Sequence, residues 1–386
     1  MHTNFVLKSN QINKNLVLQS SPLKNEQKIL YTYNFFKDSK SSNLEKSFLY
    51  QDDLISLESR RYIGCKQKLV DWIFDIINSE TQNIKIATDI FSGTGVISKK
   101  MLELYPSVIM NDTLFSNNQI YTAFFKKGNW DREKILKKIE YYNTLDETRL
   151  EDNYFSLNYG GKYFDYDMSK KIGWIRDDIE KSKADLSEKE YAILLATLIY
   201  NIDKHANTLG HFEAYIKKPI KKAKLLLRLI DVKEFENLTI YRKDSNELAR
   251  EIKSDLVYID PPYNSRQYCR FYHVYENLVK WDKPVLSGVA MKPPAENMSK
   301  YCSSKAPETF ADLIQNLDAK YLAVSYNNTY NSKSKSSQNK IQLEQIEESL
   351  NAKGETKRFV KDYRFFNAGK TDFENHQEFL YITKVK

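Results

Sequence analysis

Cysteine, proline and glycine are all scarce in this chain, at 3, 9 and 11 among 386 residues. Cys65, Cys269 and Cys302 form no C-x-x-C pair, so the sequence suggests neither a disulfide framework nor a thiolate zinc site, and no metal centre is expected. Long apolar runs are missing too: no stretch approaches a membrane span, and the opening MHTNFVLKSNQINKN has no signal-peptide core, so a reducing cytoplasm is the expected setting. There is no internal repeat, and SKSKSSQNK at 332–340 is the one notable low-complexity patch. Acidic residues run a modest deficit: 51 Asp and Glu against 59 Lys and Arg leave a formal +8, which permits a polyanionic partner without requiring one. Tyrosine (27) and phenylalanine (20) are abundant instead. Against so sparse a background, any cluster of glycine or proline is more informative than usual.

Residues 1–50 read as a polar extension with a short strand or helix near LYTYNFF. Beyond them KLVDWIFDII has helical apolar spacing at Leu69, Ile73, Ile76 and Ile77, and NIKIATDIF is a strand running into a turn. SGTG then opens the helix VISKKMLELY, with Ser92 placed to help cap it, and SVIMND is the next strand. Such a βαβ unit predicts a largely parallel sheet. From Thr113 to about Thr239 the alternation stops. Three amphipathic helices are expected there, at REKILKKIEYYNTL, EKEYAILLATLIYNIDKHANT and KPIKKAKLLLRLI, and so long an excursion predicts an inserted lobe. Strands resume at LTIYRKD, DLVYIDPPY and AKYLAVSYNN; after the helix QLEQIEESLNAKG come two closing strands, KRFVKDYRF and QEFLYITKV.

Two turns carry the chemistry. In ATDIFSGTGV, Gly93 and Gly95 let the backbone bend tightly and approach a ligand, between Asp89 and Asp112 at the ends of successive strands, where an acid can bind ribose hydroxyls. Ser98 stands where a dinucleotide fingerprint would want a third glycine, which argues against a nicotinamide cofactor. The second turn is DPPY, residues 260–263. Two prolines end the ladder of the preceding strand, leaving Asp260 and Tyr263 at its C-terminal edge. There a carboxylate and the Pro261 carbonyl can each accept an N–H of a planar amine and draw its lone pair out of conjugation, while Tyr263 offers a stacking face.

RRYIGCK at 60–66, DIFSGTG at 89–95, Asp112, Asp244, DPPY and the downstream SYNN, in that order, resemble the motifs of adenine-specific DNA methyltransferases in the alpha arrangement of the Dam-like family. HANTLGHFEAYIKK and DPPYNSRQYCRFYHVYENL resemble further stretches of members from bacterial type II restriction-modification systems, and the likeness covers about residues 58–385. It implies a Rossmann-like α/β sheet in which 51–112 and 241–386 form the catalytic domain and 113–240 a mainly helical target-recognition lobe. It also implies a methyl donor, S-adenosylmethionine, with Tyr62 and Lys66 at its methionine end and Asp89 on its amino group. Phe91, Gly93 and Gly95 would form the loop around it, with Asp112 on its ribose and Asp244 at its adenine edge. Asp260, Pro261, Pro262 and Tyr263 would grip an adenine flipped from double-stranded DNA. A cognate restriction endonuclease would act on the same site without necessarily touching this chain.

Duller readings stand beside these. Asp244 is equally a helix N-cap, Tyr62 a core residue, Lys66 a solvated helix residue and His273 a packed or surface histidine. None of the three cysteines follows a proline, so ring-carbon methylation of cytosine is not expected. Lys217, Lys218, Lys221 and Lys222, and the loop with Lys333 and Lys335, are candidates for phosphate contacts, though solvated faces would look alike. An RNA-base or protein-amide methyltransferase, or a non-catalytic DNA-binding regulator on the same scaffold, remain alternatives.

Overall fold

The computed structural model describes residues 54–329, 338–362 and 376–386; the expected element near LYTYNFF and the candidates Lys333 and Lys335 lie outside them. Seven strands form one sheet: β1 Ile86–Asp89, β2 Ser107–Asn111, β3 Leu238–Tyr241, β4 Lys253–Ile259, β5 Asp318–Asn327, β6 Gly354–Asp362 and β7 Gln377–Val385. Their order is β3-β2-β1-β4-β5-β7-β6. The first five run parallel, and β7 is antiparallel to both β5 and β6. The largely parallel sheet expected from the strand pattern is therefore present, with β7 running against its neighbours.

Helices α1 Val70–Glu80 and α2 Val96–Leu104 flank β1; α3 Phe115–Phe124, α4 Arg132–Thr144, α5 Tyr154–Tyr159, α6 Tyr166–Lys181 and α7 Glu188–Asp203 fill the excursion. Short α8 Ser245–Leu248 precedes β4, then come α9 Tyr268–Phe271, α10 His273–Lys280, α11 Ala306–Asn316 and α12 Leu343–Lys353. The inner strands are buried on both faces, as a covered parallel sheet requires. Along β4, Leu256 and Tyr258 join the core shared with α1 to α7, while Val257 and Ile259 join the one shared with α8, α11 and α12. This period of two explains why the strand reads as a continuous apolar run. Helix α7 is buried all round from Ala192 to Asp203 and starts at a capping box of Ser187 and Glu190. Among the described residues no helix is long and apolar enough to cross a membrane.

Two expectations need correction. KPIKKAKLLLRLI is not a helix: the segment is extended, with Leu225, Leu227 and Leu229 buried and Lys224 and Leu226 exposed. Its backbone is claimed by side-chain amides. Asn143 brackets Leu227 through both N–H (2.7 Å) and C=O (2.9 Å), and Asn201 brackets Arg228 in the same way (3.0 and 2.8 Å). Three leucines two apart satisfy a strand-like period as well as a helical one, and these amides decide between them. Nor does Ser92 cap α2. Gly95 occupies the N-cap position at φ 81°, while the Ser92 hydroxyl donates to the Asp89 carbonyl (2.8 Å) and accepts from the Asn111 N–H (3.1 Å).

Candidate active site

Adjacent strands β1 and β4 send the chain in opposite directions across the sheet, and their C-terminal ends open the crevice expected at such a reversal. Asp89 pairs in register with Tyr258, which brings the glycine turn after β1 beside the DPPY turn after β4. A cleft of about 220 Å³ lies there, lined by Tyr62, Lys66, Asp89, Phe91, Gly93, Asp112, Asp244, Asp260 and Pro262. Gly95, Pro261 and Tyr263 belong to the two turns that flank it but are not among the lining residues.

The glycine side is held together mainly by neutral donors. Gly93 and Gly95 adopt φ of 51° and 81°, and a side chain on Gly95 would also press on Tyr121 and Phe125 at 3.4 Å. Asp112 knits the turn by accepting from the Gly93 N–H (3.0 Å), the Leu114 N–H (2.8 Å) and the Asn117 amide (3.0 Å). Burial raises its carboxyl above the usual range, and these bonds oppose the rise. Asp89 is buried, and its Oδ2 accepts from Ser98 (2.6 Å) while its Oδ1 has no hydrogen-bond partner in the structure. Burial pushes that carboxyl up to about 7, against the Ser98 bond. Tyr62 stacks on Tyr272 (4.5 Å between centroids, 7° between planes) with Arg60 5.0 Å from its ring. Phe91 meets Tyr301 edge to face. Asp244 caps α8 by accepting from the Asn246 N–H (2.9 Å), the N-cap alternative, and also lines the cleft.

The DPPY side is latched. Asp260 accepts from the Tyr263 hydroxyl, and Lys66 Nζ lies 3.3 Å from its Oδ1 while donating to the Tyr263 hydroxyl. Burial raises the Asp260 carboxyl, with Lys66 and Tyr263 opposing. Tyr263 is not a free stacking face here. Its ring lies edge-on to Tyr326 (4.7 Å), and Lys66 sits 4.8 Å from its centroid. Lys66, far from being a solvated helix residue, is only 5% exposed and faces a second acid, Glu378 of β7, at 3.5 Å. Burial alone would lower its ammonium, but Asp260 and Glu378 outweigh it and hold Lys66 above the ordinary lysine value.

Sequence reasoning missed Glu378, Ser98 and Asn117. A buried acid inside a strand pattern signals Glu378, but nothing local shows which lysine it meets. His273 is packed: it is fully buried, with ring nitrogens 2.9 Å from the Arg270 carbonyl and 2.8 Å from that of Ala290, and burial pushes it down to about 4. Lys217, Lys218, Lys221 and Lys222 are exposed, outside this cleft's lining, and Lys222 lies 3.4 Å from Asp167.

Residues 62–341 match the family model described as D12 class N6 adenine-specific DNA methyltransferase. The chain is 30% identical to the type II methyltransferase M.NlaIII of Neisseria lactamica, over 83% of this chain and 98% of that one. With M.FokI of Planomicrobium okeanokoites it shares 31% over 84% of this chain, and with the modification methylase StsI of Streptococcus sanguinis 32% over 69%. It spans about half the length of those two, 52% and 44%. The matched span runs from Tyr62 of the first motif through the glycine turn and DPPY to the segment beyond β5, and on that ground the chain belongs to the D12 class of N6 adenine-specific DNA methyltransferases.

Proposed function

We propose that this chain is a cytoplasmic, site-specific enzyme that transfers a methyl group from S-adenosylmethionine to the exocyclic amine of an adenine rotated out of duplex DNA. In this reading it protects DNA within a type II restriction-modification system, alongside an endonuclease that reads the same site. The observation that carries the proposal is the placement of Asp260, at the end of β4, in one cleft with the glycine turn of β1. The near full-length similarity to M.NlaIII supports the setting.

The glycine side suits the donor. The buried Asp89 Oδ1 lacks a hydrogen-bond donor from the chain and fits an ammonium group, while Asp112 and Asp244 fit its ribose and adenine edge. Bound there, S-adenosylmethionine supplies a methyl group already activated by its sulfonium. The chain's task is then orientation. Once Tyr263 and Lys66 yield their bonds, Asp260 and the Pro261 carbonyl accept the two amine N–H groups and aim the nitrogen lone pair, with Pro262 shaping the wall. Tyr263, released from Asp260, gives the target ring its stacking face. No strong base is required, because the amine attacks while neutral and sheds its proton afterwards. Removing the base from the stack costs a few kcal/mol, which phosphate contacts offset. Segment 113–240 would act as the recognition lobe, with Lys217, Lys218, Lys221 and Lys222, and Lys333 and Lys335, on the backbone.

Purified protein incubated with methyl-labelled donor and mixed-sequence duplex should place label on adenine after digestion to nucleosides. Label on cytosine, or a preference for ribosomal RNA in competition with plasmid DNA, would refute the assignment.

A further inference from the structure

Glu378 has no place in the chemistry described so far. It is 4% exposed, near the start of β7, and one carboxylate would already neutralise Lys66. A second makes the pocket net negative, an unfavourable arrangement in a buried site unless something uses it. Its surroundings hold it in place. β7 pairs Glu378 in register with Asn327 of β5, whose side chain favours its charged form. The Asn327 Oδ1 in turn accepts from Thr329 and from Asn339 (3.1 Å). The Glu378 Oε2 faces Lys66 Nζ as an ion pair, 3.5 Å away.

Tyr263 and Lys66 both engage Oδ1 of Asp260, so a target amine that binds at that oxygen must displace them. Displacing Lys66 would strand a buried ammonium, and Glu378 stands where it prevents that. We propose that Glu378 is a positioning residue for methyl transfer: it takes over the Lys66 ammonium when the target amine displaces it from Asp260. Lys66 already touches both acids, Asp260 at 3.3 Å and Glu378 at 3.5 Å, so it gives up one ion pair and keeps the other, with no covalent bond made or broken. The inference rests on the methyltransferase reading above. The handover requires an ionised Glu378. The groups that face it are Lys66 before α1, Tyr258 on β4, Asp260 and Tyr263 beyond β4, and Asn327 on β5; burial sets its carboxyl at about 6.

The test is steady-state methylation of duplex DNA by the full chain, from pH 5 to 8 at saturating donor, for wild type, Glu378→Gln, Glu378→Asp, Lys66→Met and the Lys66→Met/Glu378→Gln double variant. Glu378→Gln should lower kcat roughly 10- to 100-fold with both KM values within about threefold, and Glu378→Asp should recover part of the loss. Wild-type kcat should fall as pH drops through about 6, and Glu378→Gln should lose that limb. On the Lys66→Met background, Glu378→Gln should cost less than about twofold, because the residue acts through the lysine. Wild-type kcat in Glu378→Gln, an unchanged acid limb, or losses that multiply in the double variant would each overturn the proposal. If Glu378→Gln fails to fold by thermal melt, a wild-type kcat that is flat between pH 5 and 8 overturns it. A wild type that methylates no DNA overturns the enzymatic reading and this inference with it.

Discussion

The two sides of the cleft are built on opposite plans. On the glycine side, backbone N–H groups, Asn117 and Ser98 satisfy Asp112 and Asp89, leaving Asp89 Oδ1 without a partner. On the DPPY side, Tyr263 and Lys66 already engage Oδ1 of Asp260, the acid proposed to grip the target amine. The glycine side has an acceptor to spare; the other is tied by bonds within the chain. Under the proposed function, this difference suits a donor bound at the glycine side and a target base received at the other, since a latch satisfied by the protein itself keeps the acid from standing unpaired.

The sharpest way to separate the two sides is Asp260→Ala. Methyl transfer should fall by at least about 10³-fold while donor affinity, measured by calorimetry, stays within about threefold. Near-normal turnover would remove Asp260 from its role. Gly95→Ala should do the reverse damage, because a side chain at φ 81° against Tyr121 and Phe125 strains the turn. A loss of about 1–3 kcal/mol in stability, together with weaker donor binding, is expected from denaturant melts and calorimetry. The Asp89 carboxyl, at about 7, gives the glycine side its own pH signature. A raised carboxyl favours the folded apo protein when protonated, so its contribution to stability is lost as pH rises from the unfolded value through about 7. An ammonium ligand needs the ionised form, so donor affinity should rise with pH up to about 7, by at most about tenfold per unit, and Asp89→Asn should flatten both trends. Smallest per residue are the lysines: Lys217→Ala, Lys218→Ala and Lys221→Ala should each weaken DNA binding uniformly across sequences and reduce the salt slope by about 1. Unchanged slopes would place the phosphate contacts elsewhere.

What the sequence disclosed follows from how local each signal is. The β1 strand, its glycine turn, α2 and β2 are contiguous, so apolar alternation and two glycines sufficed, and DPPY announced itself because prolines cannot pair within a sheet. Asp244 gave an even choice between a cap and a ligand, since one side chain can both cap α8 and line a cleft. The error at KPIKKAKLLLRLI has a different origin. Asn143 and Asn201 decide its conformation, and they stand 84 and 27 residues from the groups they bond. Glu378 was likewise invisible, because a lysine before α1, a turn after β4 and a strand near the end of the chain become neighbours only when the sheet closes.

Those paired asparagine brackets reach beyond folding. A stretch of chain whose course is dictated by three inward leucines and two distant amides does not rely on the exposed Leu226 for its path. Evolution can therefore rewrite that exposed position without renegotiating the architecture beneath it. A lineage under pressure to recognise new partners has, in this ribbon, a margin on which to draft.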